Sequence, residues 1–269
     1  MVFLISWLGV FLAVGPKFLR GEVMEMMDIG FMAIPMLFAP FLSGILMTYI
    51  VDGSKGVNDL FSQMRKWRVE GHWYASLLIF PVLLLIVSIV LSVLVSDELS
   101  PSFFFIGIIM GPLAGFLEET GWTGFAFPRM NMKRDVLSNS IILGIIHGIW
   151  HIFADYLGNY NSLGSYWLPY FIGFFLHVVA LRVLIVWVYE NTGSLFLAIL
   201  MHASSTGFYG LIIPITLSPE NRAIFYLVYG IVLCIPAVAI ILKYGRMLKE
   251  DVVVHKGARM RSGQVSYTP

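Results

Sequence analysis

Long apolar runs separated by short polar ones dominate the chain. A helix needs about 20 apolar residues to cross a bilayer core about 30 Å thick. Runs of that order fall at 30–50, 73–95, 101–127, 138–156, 168–190, 193–217 and 221–244, with a shorter one at 1–14. The pattern predicts an all-α polytopic membrane protein. Its single domain over 1–244 is a bundle of about eight transmembrane helices, and 245–269 forms a basic cytoplasmic tail. The 1–14 run lacks the basic n-region and small-residue cleavage site of a signal peptide, so it reads as a true first span. Between the second and third spans, Val57, Leu60, Phe61, Met64 and Trp67 recur at helical spacing beside Arg65, Lys66 and Arg68. That predicts a short amphipathic helix lying on the membrane interface. Residues 155–167, rich in Gly, Asn, Ser and Tyr, read as an external loop.

Composition agrees with the pattern. Hydrophobic residues make up 58% of the chain and charged ones 12%, against roughly 25% charged in soluble domains. So few charges cannot cover a water-facing surface, which excludes a soluble or a disordered protein. A net charge of +1 offers no basic field for nucleic acid. The single cysteine, Cys234, excludes an internal disulfide framework and a thiolate metal cluster. Lysine and arginine fall asymmetrically: the segments 51–72, 128–137 and the C-terminal tail, counted from Lys243, hold thirteen, and the opposite side holds three, Lys17, Arg20 and Arg222. The positive-inside rule then predicts cytoplasmic N and C termini in the cell membrane.

Ionisable residues inside spans are expensive and mark function by default. Seven occur here: Glu118, Glu119, His147, His151, His177, Arg182 and His202. A rise of about 1.5 Å per residue places Glu118 in the inner half of the membrane, at a depth that overlaps those of His151 and His202 enough for one cavity. Gly107, Gly111 and Gly115 form a four-residue stripe that lets a neighbouring helix pack closely. Glu119 continues this stripe, whereas Glu118 is rotated about 100° from it. The two carboxylates therefore have different tasks: Glu119 needs a structural partner, and Glu118 is free to face a cavity. His177 reads as a packing residue.

Three chemistries compete for these residues. His147 and His151 stand one turn apart, but Gly148 occupies the place where a zincin has its glutamate, so this is not that motif. Glu118, His151 and His202 form the set that would make a three-ligand zinc site if a metal takes part; the reading otherwise expects no cofactor. Ser204 and Ser205 lack the setting of a nucleophile elbow. The carboxylates also fit a proton-carrying transporter.

The segment from Glu118 and Glu119 through Thr-Gly-Trp-Thr-Gly-Phe-Ala-Phe-Pro to Arg129 resembles the first motif of the CAAX-processing and bacteriocin-processing (CPBP, or Abi) intramembrane proteases, which include the type II CAAX prenyl endopeptidases. His147-Gly-Ile-Trp-His151 is similar to the second motif, and His202 followed by Thr206 to the third. The three occur in order over about 57–210. The resemblance implies a helical bundle with a cytoplasm-facing catalytic cavity and a glutamate-type endopeptidase. By position, Glu118 becomes the general base on water, and His151 holds that water. His202 and Thr206 stabilise the oxyanion, Glu119 supports the site, and His147 and Arg129 are supporting residues. The partners implied are membrane lipid and a membrane-associated or lipidated protein substrate.

Three positions depart from the family pattern. Thr123 stands where an arginine is frequent, Thr206 stands where the prenyl endopeptidases have asparagine, and His147 replaces an aromatic residue. The first leaves Glu119 in need of another cation, and Arg182 is the only one inside any span away from its ends. Arg182 is therefore expected to pair with Glu119. The alternatives are an Arg182 that reaches the lipid headgroups and a Glu119 bonded to hydroxyls such as Thr123. The function expected is intramembrane proteolysis; the alternative is a membrane scaffold or immunity-type protein on the same fold.

Overall fold

The computed structural model describes residues 1–130, 135–214 and 216–249. Lys133 and Arg134, and the tail cations Lys256, Arg259 and Arg261, lie outside the described residues. Among the described residues, eight long helices occur at the eight apolar runs: α1 (Val2–Leu19), α2 (Met26–Met64), α3 (His72–Leu94) and α4 (Ile106–Gly121), then α5 (Val136–Leu163), α6 (Trp167–Thr192), α7 (Leu195–Ile212) and α8 (Pro219–Tyr244). No strand occurs among the described residues.

Among the described residues, six stretches are long and apolar enough to cross a membrane. One of these, Val136–Thr192, contains both α5 and α6, broken at Gly164, whose φ of 55° favours glycine. The α4 helix falls short by itself at 16 residues, and continues through a π-helical turn at Trp122–Ala126 into Phe127–Met130. The molecule is an all-α polytopic membrane bundle.

Local chemistry starts and stops these helices. Asp135 and Ser194 cap α5 and α7 by accepting from Ser138 N (2.9 Å) and Leu197 N (3.1 Å). Ser218 caps α8, with Pro219 in its first turn. Gly53, at φ 66° and ψ −164°, kinks α2 and separates the span from the amphipathic segment. There Leu60 and Met64 are buried, Val57 and Phe61 half-buried, and Trp67 lies beyond the helix and is exposed.

The expected external loop at 155–167 is corrected: α5 stays helical through Leu163. Asp155 accepts from Trp167 Nε1 (2.8 Å), Tyr170 Oη (2.8 Å) and Asn159 Nδ2 (3.3 Å). These bonds satisfy polar side chains on a helix, so polarity there does not signal a loop.

Small residues set the closest packing. A Cβ built on Gly111 would lie 2.5 Å from Ala203 O, and one on Gly115 would lie 2.4 Å from Ile199 O. The stripe on α4 is therefore pressed against the backbone of α7. Gly173 and Gly230 do the same for α6 and α8, where a Cβ on Gly230 would lie 2.2 Å from Gly173 O. Close backbone approach replaces the hydrophobic drive that lipid surroundings remove. The α4–α7 contact is the one that positions the polar cluster.

Candidate active site

The last turn of α4 carries Glu118 and Glu119, immediately before the π-helical turn. Such turns re-aim side chains and recur at functional sites. Glu119, on the glycine stripe, is fully buried. Its Oε1 accepts from Arg182 Nη2 (2.9 Å) and His202 Nδ1 (2.7 Å), and its Oε2 from Arg182 Nη1 (2.6 Å) and Thr123 Oγ1 (2.5 Å). A carboxylate has about four lone-pair sites, so Glu119 is saturated. The expected Arg182 pairing is present, and the Thr123 hydroxyl joins it rather than replacing it.

Arg182 extends the network one step further. Its Nη2 lies 3.1 Å from His147 Nδ1. A guanidinium only donates, so His147 Nδ1 is an acceptor here and the ring proton sits on Nε2. That nitrogen is 3.0 Å from Glu118 Oε2 and therefore donates to it. The ring is packed between Trp122 and Trp150, at centroid separations of 5.1 and 5.6 Å. Trp150 in turn donates to Ser6 Oγ (2.7 Å), which ties α1 to this wall.

His202 donates from Nδ1 to Glu119 because a carboxylate without a proton only accepts. Its Nε2 then faces Glu118, 3.9 Å from Oε2. His151 is half-buried, with its ring 5.2 Å from His147. One ligand atom each from Glu118, His147 and His151 lie within 4.8 Å of one another. The metal set read from the sequence was Glu118, His151 and His202, so the convergent trio exchanges His202 for His147. His147 suits a metal poorly, because its Nε2 holds a proton and its Nδ1 faces a cation.

The structure thus joins Glu118, Glu119, His147, His151, Arg182 and His202. Thr206 lies one turn beyond His202 on α7, half-buried. Arg129 is placed elsewhere: it binds Asp52 and donates to Phe125 O (3.0 Å) near the kink of α2. His177 packs as expected, 2.9 Å from Ser205 Oγ. Sequence reasoning missed the contributions of Trp122 and Trp150, whose only signal was two tryptophans beside motif residues.

The family described as type II CAAX prenyl endopeptidase, Rce1-like, matches residues 100–208. That stretch runs from the start of α4 through His202 and Thr206. Over these residues the chain is similar to that family, which agrees with the motifs read from the sequence. CAAX prenyl protease 2 of Methanococcus maripaludis is similar as well, 34% identical over 95 residues, which cover 34% of each chain. The match therefore spans about a third of the length of that relative. All of the residues that converge at the site fall within the family match.

Proposed function

We propose that the protein is an intramembrane endopeptidase that hydrolyses a peptide bond of a membrane-associated, CAAX-type substrate with water activated by Glu118. One observation carries this reading: of two adjacent buried carboxylates, Glu119 is saturated by four donors while Glu118 is held at Oε2 by His147 and keeps about 5% exposure. Glu119 has no lone pair to spare, whereas Glu118 does.

In this mechanism Glu118 takes a proton from water as the oxygen forms a bond to the scissile carbonyl carbon. The carbonyl electrons move onto its oxygen, and the C–N bond breaks as Glu118 returns the proton to the leaving nitrogen. His151 positions the water. His202 Nε2 and Thr206 Oγ1 stabilise the oxyanion, a role that requires His202 to carry both ring protons. Donors preset at a developing charge are worth about 10²–10³ in rate each. The role of Glu119 is to hold Arg182 and His202 in place.

The His147 tautomer supports water activation without a metal, since zinc on Nε2 would require the proton to move to the nitrogen that faces Arg182. The test uses purified protein in detergent with a lipidated CAAX peptide. Glu118→Gln should abolish cleavage while leaving folding and substrate binding intact, and wild type should cleave with chelator present. Cleavage lost to chelator and restored by zinc would turn the trio into ligands. A Glu118→Gln protein that still performs its cellular role would instead establish the scaffold reading.

A further inference from the structure

A cavity of about 760 Å³ lies at the opposite end of α3 from its Leu94 terminus, outside the catalytic cluster. Its walls are the loop after α2, the first turn of α3 and the end of α6. Lys66, Trp67, Arg68, Glu70, Trp73 and Tyr74 line it. The loop is a fixed structure. Ser194 Oγ donates to Lys66 O (2.5 Å), Tyr74 Oη donates to Trp67 O (2.5 Å), and Trp73 is buried against Trp187 with ring centroids 5.0 Å apart.

The charges at the cavity are two cations and one carboxylate. Arg68 stacks on Trp67 at 5.0 Å from the ring centroid, and Lys66 Nζ lies 3.2 Å from where a Cβ on Gly193 would stand. That places Lys66 against the negative carboxyl end of α6, which would otherwise repel an anion. Glu70 points outward and lies 3.4 Å from His72 Nδ1. Among the described residues, neither Lys66 nor Arg68 has a carboxylate partner.

Tyr74 leads directly onto an apolar track. Leu78, Val82 and Ile86 follow at successive turns of the same face of α3, and all three are exposed. An amphiphile with a phosphate head and a hydrocarbon tail matches this sequence of surfaces. We propose that the cavity seats the phosphodiester headgroup of a membrane phospholipid, with one acyl chain lying along Leu78, Val82 and Ile86. Lys66 and Arg68 pair with the phosphate, and Trp67 and Tyr74 mark the depth of the headgroup layer. This site is independent of the peptidase reading.

The experiment titrates delipidated full-length protein in detergent with phosphatidylglycerol, following bound lipid by native mass spectrometry and Trp67 quenching by a chain-brominated analogue. Wild type should retain one tightly bound lipid. The Lys66→Gln, Arg68→Gln double variant should bind it at least tenfold more weakly with an unchanged thermal midpoint. Leu78→Ser should weaken the lipid as well. Equal binding by wild type and the double variant would overturn the site. Displacement by glycerol 3-phosphate at the same concentration as short-chain phosphatidylglycerol would overturn the lipid assignment in favour of a free phosphate. Should the double variant fail to fold, Leu78→Ser and the glycerol 3-phosphate competition decide the question on their own.

Discussion

Arg182 is fully buried, and four of the acceptors around it belong to three different residues. Removing one member of a buried ion pair leaves an uncompensated charge, at about 3–5 kcal/mol. Arg182→Met should therefore lower the unfolding midpoint strongly, and Glu119→Gln added to it should recover much of the loss. Equal destabilisation by the single and double variants in a detergent unfolding assay would show that the pair is not coupled. His147 gives a second, kinetic prediction. His147→Phe removes a hydrogen bond to Glu118 worth about 1.5–3 kcal/mol, so kcat should fall about 10–100-fold with folding retained. The Arg182 pairing was legible in the sequence because a cation in an apolar span must meet an anion at its own depth. The choice between His147 and His151 was not. They are one turn apart on one face, and only the approach of α4, set by its glycines against α7, decides which ring reaches Glu118. Nor was the direction of Arg129 legible, which pairs with Asp52 on α2: adjacency to a motif in sequence does not fix direction past a π-helical turn.

At the scale of elements, the glycine stripe is the feature that locates the site. The Cβ of Gly111→Ala would meet main-chain oxygen of α7 at 2.5 Å, and backbone cannot yield as a side chain can. Overpacking of this kind costs about 1–3 kcal/mol. Gly111→Ala should lower both the unfolding midpoint and activity, because any shift of α4 moves Glu118. Gly30→Ala, where nothing lies within 4 Å of the added carbon, serves as the control and should leave both unchanged. A Gly111→Ala protein with wild-type stability would show that α4 and α7 are less closely apposed. Helix positions were readable because apolar length and caps such as Asp135, Ser194 and Ser218 act locally. The extension of α5 through 155–163 was hidden, since the partners that satisfy Asp155 come from α6 and from the next turn.

For the whole molecule, the distribution of charge makes a claim about orientation. If each of the eight long helices crosses the membrane, the even count puts both ends of the bundle on one side, and the described cations Lys55, Arg65, Lys66, Arg68 and Arg129 fall on that same side by chain order. Lys17 and Arg222 belong to the other face, where Lys17 Nζ lies 2.6 Å from Asp28 Oδ2 and Arg222 Nη1 donates to Asn159 Oδ1 at 3.2 Å. If lysine and arginine set topology, the first face is cytoplasmic, and it is the face towards which the Glu118 end of α4 lies. Single cysteines at Ser62 and Ser162, both exposed, in a Cys234→Ala background would test this in intact cells. A membrane-impermeant maleimide should label Ser162→Cys from outside and reach Ser62→Cys only after the membrane is opened. Labelling in the reverse order would invert the bundle and turn the Glu118 end of α4 outward, while leaving the geometry of the polar cluster untouched. Labelling of both from outside would remove the helix count on which the even topology rests.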